Sequence, residues 1–319
     1  ALEATTTTRT RISYAYDIRI FFQFLLEENP AFRGYSMNRF TVDVLDQIHA
    51  VDIEEYQEYL KVYQNSQKTT TNGERGLKRK MSSLRSFYSY YYKREMIHTN
   101  PAVLVDMPKL HQKAITRLDA DEVAMLLDYI EHAGDTLTGQ KKAYYEKTKE
   151  RDLALVTLLL GTGIRVSECV GLDVEDIDFK NNGIKVTRKG GNEMIVYFGE
   201  EVAEALHRYL EVRKGVTPVA GHEHALFYST QRKRMGVQAV ENLVKKYASQ
   251  ITTTKKITPH KLRSTYGTAL YQETGDIYLV ADVLGHSDVN TTRKHYAAMD
   301  DSRRRKAASA VTLREHMEK

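Results

Sequence analysis

The chain of 319 residues contains only one cysteine, Cys169. A single thiol forms no internal disulfide, so the sequence lacks the cross-links of small secreted domains and fits a reducing compartment. It has no run of about 18 apolar residues, the length that a membrane-spanning helix needs. Its first residues show no signal-peptide pattern. These absences predict a soluble protein of the cytoplasm.

The sequence also lacks the ligand patterns of metal enzymes. It has no Cys/His cluster, no H-E-x-x-H helix and no acidic triad, which are patterns that hold structural or catalytic cations. We therefore expect chemistry that uses no metal and no other cofactor. A metal hydrolase built on His260 and His286 is the alternative, and the lack of carboxylate partners at ligand spacing argues against it.

The charge of the chain is only weakly biased. The formal net charge is +5, and 41% of the residues are hydrophobic. That hydrophobic content is enough for real cores, and the length allows one large domain or two ordinary ones. The N-terminal part and the rest are both slightly basic, which permits contact with DNA from both.

One stretch near the C-terminal end, residues 258–300, carries three predicted helices. Thr258-Pro259 favours a helix start, because Thr caps a first turn and Pro needs no N–H there. Gly275 and Gly285 favour left-handed helix ends. The pattern predicts one helix up to Gly275, a second between the two glycines, and a third capped by Ser287.

Four side chains with useful chemistry lie beside these predicted helix ends, namely His260, Arg263, His286 and Tyr296. His260 and Arg263 are three residues apart, which places them on one face near a helix N-terminus, an end that favours anions. His286 follows the second left-handed end directly, and Tyr296 lies on the third helix. Two donors near a helix N-terminus suit a phosphate, and a nearby tyrosine could attack it.

The order and separation of these residues closely resemble the C-terminal motifs of the tyrosine recombinases, the phage-integrase and Xer family. That family carries H-x-x-R, then L-G-H, then a tyrosine. Here the motifs are His260-Lys261-Leu262-Arg263, Leu284-Gly285-His286 and Tyr296. The resemblance makes Tyr296 the expected nucleophile, ahead of Tyr266, Tyr271 and Tyr278.

A second motif lies earlier in the chain. Residues 151–163, RDLALVTLLLGTG, predict a buried helix that ends at its glycines. Residues 162–168, TGIRVSE, resemble the family's T-G-x-R-x-S-E box. Arg165 stands just after the glycines at a helix start, where it can chelate a phosphate. Glu168 is expected to support that arginine, and Cys169 to pack as a small hydrophobe.

Three short strands are predicted within residues 177–198, and they suggest a small antiparallel sheet. The turn Lys189-Gly190-Gly191-Asn192 between the last two favours a hairpin. Lys189 at this turn matches the strand-turn lysine of the resembling family. Arg188 is its nearest rival and a candidate DNA contact.

The N-terminal part has the periodicity of helices. Helices are predicted over 10–28, 52–63 and 74–95, with frayed residues 1–9 before the first and a polar loop at 64–73. The third helix combines an apolar stripe, expected in the core, with basic residues on its other faces. The resemblance favours DNA contact for these basic residues, which are Lys78, Arg79, Lys80 and Arg85.

Residues 98–116 contain two prolines and little periodicity, which predicts a connection between domains. The predicted organisation is an N-terminal core-binding domain at 1–105, a linker at 106–116, a catalytic domain at 117–301 and a C-terminal helix at 302–319. Within the catalytic domain, helices are predicted near 118–132, 151–163, 200–214 and 236–250, with a polar connection at 134–150.

The resemblance implies a mainly α fold with a small antiparallel β-sheet. It implies an N-terminal helical bundle of the SAM-like core-binding type and an α+β catalytic domain, which together form a C-shaped clamp on DNA. It also implies a homotetramer on two paired double-stranded DNA sites, and it leaves accessory proteins open. Integration of a mobile element and Xer-type resolution of chromosome dimers both remain open as the biological role.

The resemblance further assigns chemistry to Arg165, Lys189, His260, Arg263, His286 and Tyr296. The arginines and His286 hold the non-bridging phosphate oxygens, His260 is the candidate base, and Lys189 protonates the leaving 5′ oxygen. The expected product is a 3′-phosphotyrosyl bond with a free 5′-hydroxyl, which a second 5′-hydroxyl can reverse through a Holliday junction. A catalytically inactive DNA-binding module is the other alternative, and the complete set of six residues argues against it.

Overall fold

The computed structural model describes residues 6–65, 68–111, 115–188, 190–286 and 288–296. Among these, the side chains of seven residues are not described: Arg39, Asn65, Lys68, Thr291, Lys294, His295 and Tyr296. The contacts divide the described chain into two compact units, on either side of residues 112–114. The fold is mainly helical with small antiparallel sheets, which confirms the predicted class.

The first unit is built from three helices and one hairpin. Its elements are α1 (Thr8–Glu27), α2 (Ala50–Tyr59), β1 (Val62–Asn65), β2 (Lys68–Thr71) and α3 (Glu74–Tyr92). Helix α1 begins at Thr8, two residues earlier than predicted. The Thr7 side chain accepts a hydrogen bond from the Thr10 N–H at 3.3 Å and so caps the first turn.

Residues 62–65 and 68–71 pair as two antiparallel strands, so the predicted helix end at 63 and the polar loop at 64–73 are wrong. The segment is rich in threonine and also carries Val62 and Tyr63, residue types that favour strands. Asn72 anchors the hairpin, because its Nδ2 donates to the Leu60 carbonyl at 2.6 Å. Helix α2 therefore ends at Tyr59, before the chain reverses.

Helices α1, α2 and α3 enclose one hydrophobic core in the first unit. Its most buried large side chains are Phe21, Leu25, Phe32, Ile48, Ile53, Tyr56, Leu60, Met81, Leu84 and Tyr88. Ala102 and Val105 are buried in the same core, and Asp46 accepts hydrogen bonds from the N–H groups of His98 and Thr99. Residues 98–105 thus pack within this unit and do not form part of a free connection.

The second unit contains eight described helices around a three-stranded sheet. The helices are α4 (Ala120–His132), α5 (Gly139–Thr162), α6 (Val166–Gly171), α7 (Glu200–Lys214), α8 (Val237–Ile251), α9 (Pro259–Thr274), α10 (Ile277–Leu284) and α11 (Val289–Tyr296). The strands β3 (Ile177–Asp178), β4 (Gly183–Thr187) and β5 (Glu193–Tyr197) pair antiparallel in chain order. This sheet confirms the predicted strands.

Helix α5 is the central element of this unit and is longer than predicted. It begins at Gly139, so most of the predicted polar connection at 134–150 is helical. The residues 140–150 are mainly Lys, Glu, Gln and Ala, which are good helix formers. The Tyr145 hydroxyl donates to the carbonyls of Ile130 and Glu131, which ties this polar half of α5 to the end of α4.

The two glycines near the end of α5 have different roles. Gly161 lies inside the helix, and a Cβ there would lie 2.4 Å from Cγ2 of Val202, so the glycine allows α7 to pack closely. Gly163 has a φ of 62° and ends the helix in the left-handed conformation. That reversal directs the chain into Arg165 and α6.

No helix in the described part of the chain is long and apolar enough to cross a membrane.

Candidate active site

Arg165 immediately precedes α6, where a buried carboxylate holds it. Oε2 of Glu168 accepts the Arg165 backbone N–H at 2.7 Å, and Oε1 accepts from Nη1 at 2.7 Å. The Glu168 side chain is only 4% exposed, whereas that of Arg165 is 37% exposed. The predicted support of Arg165 by Glu168 is confirmed, and the guanidinium keeps a face open to a ligand.

Arg263 lies in the second turn of α9 and joins two helix ends. Its Nη1 donates to the Gly163 carbonyl at the end of α5, and its Nη2 donates to the Leu284 carbonyl at the end of α10. The residue is buried. A planar guanidinium with several fixed donors can span two carbonyls in this way, which a lysine cannot.

The end of α10 places His286 in a tight corner, as the sequence predicted. Gly285 is left-handed with a φ of 60°, and the His286 N–H donates back to the Ala281 carbonyl at 2.9 Å. The Nδ1 atom of His286 lies 2.7 Å from Oγ1 of Thr292, a fully buried residue of α11. This contact fixes the orientation of the imidazole ring relative to α11.

His260 lies in the first turn of α9, after the predicted Thr258 cap and Pro259. It is exposed, while Arg263 three residues later is buried, so the two side chains differ in their access to solvent. Exposure leaves His260 accessible to a ligand at the helix N-terminus. The carbonyl of His260 accepts the Ser264 hydroxyl at 3.1 Å.

Tyr296 is the last residue of α11, which is the third helix that the sequence predicted. Its side chain, Lys189 and the predicted cap Ser287 lie outside the described residues. Asp288 lies just before α11, and its Oδ1 accepts the Asn290 N–H at 2.9 Å. The structure therefore brings together Arg165, Arg263 and His286, and it gives the helix that carries Tyr296.

Arg188 follows β4 and joins the same cluster, a contact that sequence reasoning missed. Its Nη1 and Nη2 donate to the carbonyls of Asp282 and Val283 at 3.3 and 2.8 Å. A Cβ on Gly285 would lie 1.4 Å from its Nη1, so the guanidinium packs against the glycine itself. Gly285 of the L-G-H motif was the sequence feature that could have indicated this contact. A glycine leaves room for a neighbouring side chain in addition to ending the helix.

Three guanidinium groups thus donate to the four consecutive carbonyls of residues 282–285. Arg165 contributes through Nη2, which lies 3.0 Å from the Gly285 carbonyl. Burial and the charge of Arg165 hold the pKa of Arg188 below its ordinary value. Such a concentration of positive charge favours an anion with several oxygens, such as a phosphodiester.

The basic residues of α3 are mostly engaged within the first unit. Arg79 forms a bidentate ion pair with the buried Asp17, and Arg85 donates to the carbonyls of Ala102 and Val105. Lys80 is buried, contrary to its predicted outward position, and its Nζ donates to Oδ1 of Asn72 at 2.8 Å. Burial also lowers the pKa of Lys80. DNA contact by these residues and Lys78 stays a prediction.

The alternative tyrosines have other surroundings. The ring of Tyr266 packs against Gly163, where a Cβ would lie 2.4 Å from its Cδ1. Burial raises the pKa of Tyr266, which disfavours its phenolate. Tyr278 is 71% exposed on α10.

Among the residues with described positions, no group of three or more His, Cys, Asp or Glu side chains is arranged to hold a metal ion.

Comparison with known proteins points to one family. Residues 116–303 match the model of the phage integrase family. The chain is 34% identical over 312 residues to tyrosine recombinase XerC of Caldanaerobacter subterraneus subsp. tengcongensis, which covers 94% of this chain and 81% of that relative. It is 30% identical over 293 residues to XerC of Chlorobaculum tepidum, which covers 89% and 83%.

Solved structures show the same fold. The Tn1549 transposon integrase in complex with circular intermediate DNA aligns with a TM-score of 0.67 at 22% identity, over 95% of this chain and 94% of that chain. The XerH recombinase bound to palindromic difH substrate aligns with a TM-score of 0.66 at 21% identity, over 93% and 78%. At these identities the likeness concerns the fold.

Proposed function

Because this chain belongs to the phage integrase family and is a site-specific tyrosine recombinase, we propose that it cleaves and rejoins DNA through a 3′-phosphotyrosyl intermediate at Tyr296. The observation that carries the proposal is the meeting of Arg165 and Arg263 at the adjacent carbonyls of Gly285 and Leu284. His286 follows directly in the chain. These three donors surround the helix end that leads into α11.

In the proposed first step, the Tyr296 oxygen attacks the phosphorus, and the bond from phosphorus to the 5′ oxygen breaks. His260 takes the phenol proton, because a tyrosine with a pKa of about 10 is a weak nucleophile at neutral pH. Lys189 gives a proton to the leaving 5′ oxygen. The reverse step, with a 5′-hydroxyl from another strand, rejoins DNA without ATP.

Arg165 and Arg263 have the role of stabilising the charge that develops on the non-bridging oxygens during attack. Fixed donors aimed at developing charge lower the barrier more than they tighten ground-state binding. Arg165 meets the phosphate through its exposed face, while Glu168 keeps its guanidinium in place. Arg263 acts from the buried side, and His286 donates to a further oxygen.

The proposed partner is double-stranded DNA with paired recombination sites, bound by four copies of the chain in the cytoplasm. The support is that two recombinases of the same fold have been solved with DNA, one on difH substrate and one on circular intermediate DNA. Accessory proteins and the choice between element integration and dimer resolution stay open. An inactive DNA-binding module and a metal-dependent phosphodiesterase are not favoured, because the named relatives are recombinases.

The proposed organisation keeps the core-binding domain at 1–105, the linker at 106–116 and the catalytic domain at 117–301. The C-terminal segment, 302–319, is proposed to dock on a neighbouring copy. That segment lies outside the described residues.

A covalent-adduct assay tests the proposed function. Wild-type protein on a nicked suicide substrate should give a protein–DNA band on a denaturing gel, and Tyr296→Phe should abolish it while site binding stays nearly intact. Tyr278→Phe is the matched control, because Tyr278 is an exposed tyrosine of α10. An adduct formed by Tyr296→Phe contradicts the assignment, and strong inhibition by EDTA would favour a metal mechanism.

A further inference from the structure

We propose that Arg188 is a positioning residue for the general acid. By binding the carboxyl end of α10, it fixes its own end of β4 relative to His286, and Lys189 is the next residue in the sequence. The proposal rests on the proposed function, in which Lys189 protonates the leaving 5′ oxygen. Lys189 itself lies outside the described residues, so the argument concerns the residue that anchors it.

The backbone of Arg188 closes the hairpin. Its N–H donates to the Asn192 carbonyl at 2.8 Å, and its own carbonyl accepts the Gly191 N–H at 3.0 Å. Gly190 and Gly191 both have positive φ values, 97° and 83°, which a tight reversal requires. Arg188 is therefore the residue at which the turn meets the paired strands. A displacement of Arg188 would displace the turn as well.

The side chain of Arg188 ties that point to α10. The last carbonyls of a helix have no partner within the helix, and a cation near them is favourable. Arg188 donates to two such carbonyls, those of Asp282 and Val283. These residues come shortly before His286, so the hairpin is held to the segment that positions the histidine.

The fit of Arg188 on Gly285 shows that the contact is close. A Cβ at Gly285 would lie 1.4 Å from Nη1 and 2.2 Å from Cζ of Arg188. The Nε atom is buried and has no hydrogen-bond partner among the described residues. A surface arginine would keep Nε in water, so the burial of this atom in a half-buried residue indicates a defined position between the hairpin and α10.

The test uses two modified DNA substrates with the full-length protein. A sulfur in place of the bridging 5′ oxygen leaves without a proton, and therefore bypasses the general acid. A methylphosphonate removes one charged non-bridging oxygen, and therefore lowers the need for a phosphate-binding arginine. Each substrate is compared with normal DNA for the rate of covalent-adduct formation.

On normal DNA, Lys189→Ala should slow cleavage by about 10²- to 10⁴-fold, the usual contribution of a general acid. Arg188→Ala should slow it by about 10- to 100-fold, as expected when an acid is misplaced by about 1 Å. Sulfur should restore both variants to near the wild-type rate on that substrate. Arg188→Lys, which keeps one donor, should fall between Arg188→Ala and wild type.

Lys185→Ala is the matched control. Lys185 lies on the same strand and is half exposed, and within the described part of the chain its ion pairs are long ones, to Asp176 and Glu193 at 3.8 and 3.6 Å. Its replacement should leave cleavage of normal DNA nearly unchanged. A loss equal to that of Arg188→Ala would mean that hairpin charge alone matters, and would overturn the proposal.

The other outcomes are distinct. Rescue of Arg188→Ala by methylphosphonate and not by sulfur would make Arg188 a phosphate ligand and overturn the positioning role. Rescue of Arg188→Ala by sulfur without rescue of Lys189→Ala would make Arg188 the acid, and would overturn both proposals for these residues. Absence of any adduct with wild-type protein would instead count against the proposed function as a whole.

A stability measurement tests the contact independently of cleavage. Gly285→Ala should lower the melting temperature, because the new Cβ meets Arg188 and the left-handed backbone disfavours alanine. Arg188→Ala alone should also lower it, because two hydrogen bonds to α10 are lost. In the double variant the two losses should not add, since the new Cβ then meets no guanidinium. Fully additive losses would show that Arg188 does not pack on this glycine, and would overturn the inference.

Discussion

The carboxylate of Glu168 accepts two hydrogen bonds of 2.7 Å from Arg165, one from its backbone N–H and one from its guanidinium. A glutamine at this position keeps one acceptor and loses the charge, so the guanidinium gains freedom. We expect Glu168→Gln to slow DNA cleavage about 10- to 100-fold, as small misplacements of catalytic groups do. Gel-shift affinity for a single site should stay nearly unchanged. Glu193→Gln, an exposed carboxylate on β5, is the control.

Replacement of Arg165 or Arg263 by lysine should affect cleavage much more than binding. Lysine keeps the charge but loses the planar fork that spans two acceptors. The expected loss in cleavage rate is about 10²- to 10³-fold, the size found when one transition-state donor is removed. Adduct formation and gel shift measured on the same substrate decide the point. Equal losses in both assays would mean that these arginines only hold the DNA backbone.

The helix ends around this site could be predicted from sequence, because their causes are local. Pro259 at a first turn and Gly163, Gly275 and Gly285 as left-handed caps depend on backbone properties of single residues. The support of Arg165 by Glu168 was equally predictable, since Arg165 precedes a short helix that carries Glu168 three residues later. Local chemistry determined both results.

The contacts that the sequence did not reveal join residues that are distant in the chain. Arg79 pairs with Asp17, 62 residues earlier, and no pattern along α3 reveals that acceptor. Arg188 binds carbonyls 94 and 95 residues later, and its neighbours in the sequence give no sign of that contact. Its contact with DNA stays a prediction. The pairing of β1 with β2 was missed because threonines are common in polar loops, although they also favour strands.

The buried Asp17 should be important for the stability of the first unit. It accepts hydrogen bonds from Arg79 and from the Ser83 hydroxyl, the latter at 2.7 Å. Asp17→Ala should lower the free energy of unfolding by about 1–3 kcal/mol, since it removes the charged acceptor of these hydrogen bonds. Chemical denaturation followed by tyrosine fluorescence measures the change.

Arg79→Ala and Lys78→Ala separate stability from DNA binding on the same helix. Arg79→Ala and Asp17→Ala should each destabilise the unit. In the double variant the two effects should not add, because both substitutions remove the same ion pair. Lys78→Ala should leave stability nearly unchanged and weaken DNA binding if this face meets the duplex. A stable Arg79→Ala protein that binds DNA poorly would assign Arg79 to the DNA instead.

Cys169 should be chemically inert in the folded protein. Burial raises the pKa of its thiol to about 12, and the thiolate is the reactive form. A thiol reagent at pH 8 should therefore label the native chain only at the rate of unfolding. The unfolded thiol ionises above about pH 8.5, so a rise in pH from there towards 12 should favour unfolding. Rapid labelling of native protein at pH 8 would contradict this assignment.

The C-terminal segment, 302–319, should matter for assembly on DNA. It follows the helix that carries Tyr296 in the sequence, and the proposed docking on a neighbouring copy would cover its apolar residues: Ala307, Ala310, Val311 and Leu313. A contact from each copy to the next closes naturally into a ring. Deletion of 302–319 should weaken cooperative assembly on paired sites more than binding to one site, as measured by gel shift with one-site and two-site DNA.

The basic run at 303–306 allows a second variant that separates docking from DNA contact. Replacement of Arg303, Arg304, Arg305 and Lys306 by alanine removes four charges and keeps the apolar residues of the segment. If the segment docks on a neighbour, this variant should assemble nearly normally, while the deletion also slows cleavage because Tyr296 loses its anchor. If the segment is a basic end that touches DNA, the alanine variant should bind single sites more weakly and with a smaller dependence on salt. A deletion variant that assembles and cleaves like the full chain would exclude docking on a neighbouring copy, because no ring contact could then depend on these residues.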